Sequence, residues 1–380
     1  MHPFFFQAVA LLCGAVLGTP REKPFTTLSG VTIFTPPSNY TNPRVLYSRT
    51  VELEGGVLLA TWENYSPEPP KVYFPIFKSA DGGATWKEIS RVQDTQNGWG
   101  LRYQPHLYML TKRVGRFKPG TIICSGSSIP TDLSVAQIDV YVSEDNGYTW
   151  KFTSHVATGG AAIPNNGVPA IWEPFVMEYN GKVVLYYSDQ RDAAHGQKLI
   201  HTVSKDLLTW SADVDDVAWP VYTARPGMTT ITQLPNKKYM MTYEYGGGQT
   251  SGGYAFPVHY RISANPLKFN DSPDFAIISN DGIQPTGSPT ITWSSVGGEN
   301  GTIVVTAHSN SQVFVNQALG DPGRWETVAT PQERAYTRHV RILKNQNLLL
   351  IMGAGQLPPS TTNKVTVSVM DLKAALKSST

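Results

Sequence analysis

Two glutamates carry the residue type and setting for chemistry. Glu173 lies in Ile171-Trp172-Glu173-Pro174-Phe175, and Glu244 in Met240-Met241-Thr242-Tyr243-Glu244-Tyr245. Cleavage of a glycosidic bond needs two carboxyl groups with different tasks. One stays protonated and gives its proton to the leaving oxygen; the other stays ionised and attacks or holds charge. The apolar neighbours of Glu173 would raise its pKa and suit it to acid/base work. The hydroxyls of Tyr243 and Tyr245 could donate to Glu244 and keep it charged, as a nucleophile requires. The expected split is therefore Glu173 as acid/base and Glu244 as nucleophile, although strand neighbours point to opposite faces. Other chemistries find little support. The eight histidines show no metal-ligand spacing, no nucleophile elbow sits at a strand-to-helix turn, and no glycine-rich phosphate loop follows a strand. No metal or cofactor is expected.

The elements that must position these acids announce themselves by a repeat. Ser79-Ala80-Asp81-Gly82-Gly83-Ala84-Thr85-Trp86 returns as Ser143-Glu144-Asp145-Asn146-Gly147-Tyr148-Thr149-Trp150, sharing S-x-D-x-G-x-T-W. Each copy follows an alternating apolar run and precedes another, which is the grammar of a hairpin. The Asp accepts backbone N–H groups within the turn, the Gly takes the positive φ, and the Trp folds back as a plug. Worn copies at Ser204–Trp210 and Ser263–Phe269 put successive turns 64, 61 and 59 residues apart. That period suits four strands and their loops, and the chain length then gives six such units. The fold class is all-β: a six-bladed β-propeller of four-stranded antiparallel blades, one domain over residues 19–380. Val31 to Thr35 is expected to supply the outermost strand of the last blade and close the ring. A short helix is expected near Asp371–Leu376.

Inner strands of a propeller converge on its axis, so their starts and the adjoining second-strand exits share one pocket. Those positions, with one adjoining loop, supply Arg44, Tyr103, Gln104, Trp172, Arg225, Ser288, Tyr336 and Arg338 from first strands, Glu63, Arg191 and Tyr243 from second-strand exits, and Asn165 from a Gly-rich loop. Aromatic faces, arginines and amides are what a sugar site uses. Bland readings stand beside these. Arg191 with Asp189 and Asp192 reads as a rim salt-bridge cluster, Trp172 as core packing, and Glu63, followed by Asn64 and Tyr65, as a solvated strand end. The loops Gly159–Gly167 and Gly246–Ala255 are candidates for a wall that blocks one end of the groove.

Residues 1–18 read as a secretory signal, with an apolar run too short to span a membrane and small residues at its end. The remaining cysteine, Cys124, sits in an apolar run and reads as a buried thiol. Four N-x-S/T triplets, at Asn39, Asn64, Asn270 and Asn300, fit a secreted protein. With 16% charged residues and a formal net charge of +2, nothing points to nucleic acid or an anionic membrane. A secreted monomer is expected.

The two Asp-turns are the Asp-box of sialidases and related propellers. Together with the Glu173 and Glu244 stretches, they make the chain resemble the secreted fungal exo-arabinanases of glycoside hydrolase family 93, over essentially the whole mature chain. The resemblance implies a six-bladed propeller that releases arabinobiose from the non-reducing end of linear α-1,5-L-arabinan with retention. It also places Glu173 and Glu244 at the catalytic pair, about 5–5.5 Å apart if the mechanism is retaining. Two alternatives remain open. Arg44, Arg225 and Arg338 could together grip a carboxylate, as in an exo-α-sialidase with Tyr336 as nucleophile. A catalytically silent sugar- or protein-binding propeller would also carry Asp-boxes.

Overall fold

The computed structural model describes Met1 and residues 26–250 and 253–378. The expected leader over residues 1–18 falls, after Met1, outside the described residues. Among the described residues no helix is long and apolar enough to cross a membrane.

Six four-stranded antiparallel sheets follow one another around an axis. Their innermost strands are Val45–Glu52, Leu101–Met109, Ile171–Tyr179, Arg225–Gln233, Thr290–Ser294 and His339–Ile342, here blades 1 to 6. In the last blade Leu28–Phe34 pairs antiparallel with Val365–Asp371, so the N-terminal strand closes the ring as the sequence suggests. This covers the outer edge of the Val365–Asp371 strand and ties the two ends of the described chain into one blade. The terminal helix runs Leu372–Ser378.

Both faces of each blade pack on a neighbour. The second strands therefore read as near-continuous buried runs; Leu58–Asn64 is buried throughout. Six apolar clusters fill the six gaps between blades. Cys124 lies in the cluster between blades 1 and 2, a free buried thiol. The Asp-turns staple the third strand to the fourth. Asp81 accepts the Thr85 amide at 2.9 Å and its hydroxyl at 2.6 Å, while Ser79 donates to Asp81 at 2.8 Å. Asp145 repeats this with Thr149 and Ser143. Gly83 and Gly147 hold φ of 101° and 88°, the left-handed values the turn demands. In the worn third copy, one residue shorter, Leu207 takes φ 61° instead. Asn64, one of the four triplet asparagines, is 3% exposed inside a strand and offers no room for a glycan.

One irregularity recurs in every blade. Tyr47, Gln104, Glu173, Met228, Ser288 and Thr337 each have φ between 46° and 61°. In blades 1 to 4 the ladder skips at this point, between Leu46 and Arg49, Tyr103 and His106, Trp172 and Phe175, and Gly227 and Thr230. Such a bulge turns an amide out of the ladder and re-aims it. A non-glycine residue in this region costs on the order of 1–3 kcal/mol, and strain of this kind concentrates at functional sites. In blades 5 and 6 the corresponding residues, Ser288 and Thr337, lie just before the first paired residue of the innermost strand.

Candidate active site

A cavity of about 550 Å³ is lined in part by Gln104 and Glu173, two of these left-handed residues. Among the described residues its charged lining consists of three carboxylates, Glu63, Glu173 and Glu244, and one cation, Arg225. The left-handed positions explain why the acids meet. The Gln104 amide donates to Glu63 Oε1 at 2.9 Å, the Met228 amide to Glu173 Oε2 at 2.7 Å, and the Ser288 amide to Glu244 Oε2 at 2.7 Å. Each carboxylate is thus held by the turned-out amide of the following blade. The fourth link is the amide of Glu173 itself, which donates to Gln104 Oε1 at 3.4 Å. Ser127 donates to that same oxygen.

The three acids differ in their remaining partners. Glu173 also accepts the Ser188 hydroxyl at 2.6 Å, and the charges of Arg225 and Arg49 favour its ionised form. Burial outweighs these and raises its pKa. Glu244 accepts the Ser288 amide and feels the charge of Glu173; burial and that repulsion push it up to about 8. Glu63 accepts the Tyr65 hydroxyl at 2.7 Å, and burial pushes it up to about 7. Beneath the floor Arg49 is 4% exposed and lies 4.1 Å from the Tyr47 ring centroid. Glu244, with a like charge beside it and the Ser288 amide as its donor, is held toward its protonated form. The neighbour argument failed because the tyrosines point away. Tyr243 is fully buried between blades 3 and 4 and gives its hydroxyl to Asp274. Tyr245 stacks on Trp219 at 5.0 Å.

Of the other candidate residues, Glu63, Tyr103, Gln104, Trp172, Arg225 and Tyr336 line the cavity, and Ser288 contributes its amide. Trp172 is oriented by its indole N–H, which donates to Gln190 Oε1 at 2.6 Å. Five residues lie elsewhere. Tyr243 faces the blade interface, as strand alternation requires once Glu244 faces the axis. Arg338 is fully buried, its guanidinium spent on the carbonyls of Asn310, Gln312 and Gln332. Arg44 reaches toward the Ser38 carbonyl at 3.5 Å and does not line the cavity. Arg191 is locked to Asp189 and Asp213 at 2.7 and 2.9 Å, a salt-bridge cluster as in the bland reading, except that Asp192 pairs with Lys198 and Asp213 takes its place. Asn165 is exposed, and its carbonyl accepts Gln190 Nε2 at 2.8 Å; its neighbour Asn166 holds Arg225 instead.

The walls were only partly legible. Ala162 and Pro164 come from the first Gly-rich loop, and Phe256 directly follows the second, whose Ser251 and Gly252 lie outside the described residues. Leu46, Tyr65, Leu133, Gln197 and Leu357 were not anticipated. Tyr65 had a signal: two residues after Glu63 on an extended run, it returns to the same face.

A propeller whose axial pocket holds paired, inequivalent carboxylates beside aromatic faces is the scaffold and site of a glycosidase. Comparison with known proteins narrows this class. The family 93 α-L-arabinofuranosidase of Fusarium graminearum, solved with arabinobiose, is 55% identical, with 92% of this chain and 99% of that chain covered and a TM-score of 0.91. The α-L-arabinanase of Penicillium chrysogenum, also solved with arabinobiose, is 52% identical over the same shares, with a TM-score of 0.90. The chain belongs to glycoside hydrolase family 93. The NanB sialidase of Streptococcus pneumoniae shares the fold alone, at 11% identity over 93% of this chain and 71% of that one, with a TM-score of 0.58. No family model matches. Vacuolar protein sorting/targeting protein 10 of Schizosaccharomyces pombe is 30% identical over 132 residues, 33% of this chain and 8% of that protein.

Proposed function

We propose that the protein is a secreted exo-acting arabinanase that releases arabinobiose from linear α-1,5-L-arabinan with retention of configuration. Glu244 serves as acid/base and Glu173 as the ionised nucleophile. The observation that carries this reading is the convergence of Glu173 and Glu244 in one pocket with unequal donor sets. The relatives solved with arabinobiose supply the substrate class. In the first step protonated Glu244 gives its proton to the leaving glycosidic oxygen while Glu173 attacks the anomeric carbon. In the second, water loses a proton to Glu244 and displaces Glu173. Ser188 and the Met228 amide hold the Glu173 carboxylate in place through both steps.

The exo mode finds support in the first Gly-rich loop, expected to block one end, which contributes Ala162 and Pro164 to the pocket lining. The apolar leader supports secretion, and closure of the ring by the N-terminal strand supports a monomer.

The electrostatics disfavour a sialidase. A carboxylate-bearing sugar needs an arginine cluster. Of the three arginines in question only Arg225 lines the cavity, and its guanidinium already serves Asn166, Gln190 and Gln197. Three acids surround it. Tyr336 has its pKa raised by burial and by Glu244 and Glu173, so it stays a phenol that donates to a hydroxyl and does not act as a nucleophile.

The test offers debranched arabinan and an aryl sialoside side by side to the wild type, Glu173→Gln and Glu244→Gln. Arabinobiose is the expected product, with the sialoside untouched. Each variant should lose at least about 10³-fold in arabinan turnover. Release of sialic acid, or arabinan cleavage unchanged in both variants, would contradict the reading.

A further inference from the structure

The mouth of the pocket carries exposed aromatic surface on one flank. Tyr254 is 64% exposed, Tyr222 44% and Phe256 38%. Phe256 also lines the cavity, so this flank is continuous with the pocket. The placement is built by the chain. The hairpin formed by Gly248–Thr250 and Gly253–Ala255 leaves the end of the blade 4 strand that carries Glu244. Gly246 and Gly248 allow it to fold back: a Cβ at Gly246 would lie 2.7 Å from the Phe256 ring, and one at Gly248 2.5 Å from Pro257. The Phe256 carbonyl accepts the Gly287 amide at 2.8 Å, pinning the return to blade 5. Tyr254 and Phe256 then stand edge to face with centroids 5.7 Å apart. Across from them the Tyr222 carbonyl accepts Asn166 Nδ2 at 3.2 Å, and Asn166 in turn holds Arg225. Both Tyr222 and Tyr254 lie within electrostatic reach of that guanidinium.

Exposed aromatics clustered at a pocket mouth mark a binding surface. A neutral furanose polymer offers C–H faces that pack on aromatic rings and hydroxyls that meet a Tyr O–H. The acid that protonates the leaving oxygen, Glu244, stands on the same blade as Tyr254 and Phe256. Glu63 stands on blade 1. The leaving-group side of the bond is the side of the acid that protonates it, so a chain whose leaving oxygen meets Glu244 would extend over the blade 4 flank.

We infer that Tyr222, Tyr254 and Phe256 form a binding platform for the arabinan that lies beyond the scissile bond on the leaving-group side. This rests on the function proposed above and adds a direction to it: the polymer leaves the pocket over blade 4.

The experiment compares kcat/KM on long linear arabinan with kcat/KM on an aryl arabinobioside, whose leaving group is too short to cover the flank. In the Tyr222→Ala, Tyr254→Ala double variant the ratio of the two should fall about tenfold, through KM for the polymer, as expected for two lost stacking contacts. The Tyr254→Phe variant, which keeps the ring, should retain at least half of the wild-type ratio. A ratio unchanged in the double variant, or polymer and aryl substrate losing equally, would overturn the inference. Should the double variant melt early, Tyr254→Gln alone is compared in its place, with the same two outcomes decisive at about threefold. If the wild type cleaves neither substrate, the functional reading fails and takes this inference with it. Cleavage of the aryl substrate with an unchanged ratio removes the platform only.

Discussion

Replacing Glu244 by glutamine should stabilise the protein at alkaline pH while abolishing its activity. The folded pKa of Glu244 is pushed from 4.5 up to about 8 by burial and by the Glu173 charge. Below pH 4.5 the folded and unfolded chains both hold the proton, and the group costs nothing. Between 4.5 and 8 the unfolded chain releases a proton that the folded chain keeps, so stability falls as pH rises; above 8 the full cost is present. At about 1.4 kcal/mol per unit the shift sets an upper bound of roughly 5 kcal/mol, and solvent at the open pocket mouth should reduce it to about 2 kcal/mol. Glutamine keeps the shape, accepts the Ser288 amide and carries no charge. For a chain of this size about 2 kcal/mol corresponds to roughly 3 °C in Tm. The assay is thermal unfolding of wild type and Glu244→Gln at pH 5 and pH 8. The variant should match the wild type at pH 5 and melt about 3 °C higher at pH 8. A variant that is equally or less stable at pH 8 would show that Glu244 is not held protonated, and the acid/base role would go with it.

Other outcomes follow from the same geometry. Wild-type kcat/KM should decline on the alkaline side with a midpoint near 8, as free-enzyme Glu244 loses its proton, read from a pH–rate profile. Glu63→Gln should raise KM for arabinan about tenfold with kcat within about threefold, because Glu63 lines the pocket and is held by Tyr65 and Gln104; steady-state kinetics separates this from a catalytic loss. Asp145→Ala removes four hydrogen bonds from one turn and should cost about 1–3 kcal/mol in denaturant unfolding, with kcat per folded molecule unchanged. Gly126→Ala would set a Cβ 2.3 Å from the Phe74 ring between blades 1 and 2 and should cost about 1–3 kcal/mol or more by overpacking.

The propeller was legible because its signals are local. The Asp-turn is a contiguous string, its spacing sets the blade count, and alternation assigns strands between turns. The two glutamates were legible because blade-to-blade alignment places Glu173 at an inner-strand start and Glu244 at a second-strand exit. What failed depended on direction rather than position. Arg338 sits one residue past a left-handed position, which turns its side chain between blades 5 and 6 to serve three carbonyls. Tyr243 and Glu244 share a strand but not a face. The left-handed positions themselves had no sequence signature, since Tyr47, Gln104, Glu173, Met228, Ser288 and Thr337 share no residue type. The unequal donor sets of the two glutamates were not legible either, since Ser188 is fifteen residues from Glu173 and donates to it only once the blade is folded. Glu63 looked like a solvated strand end because its neighbours form a glycosylation triplet; in the fold Asn64 is buried and Tyr65 turns back to hold it.

Proton NMR of debranched arabinan in the first minutes after the protein is added reads pairing, linkage and stereochemistry together. If Glu173 attacks and Glu244 protonates, arabinobiose should appear first as the α-anomer, with the β-anomer growing in only as the sugar mutarotates. First appearance of the β-anomer would mean direct attack by water, and the assignment of Glu173 as nucleophile would be wrong.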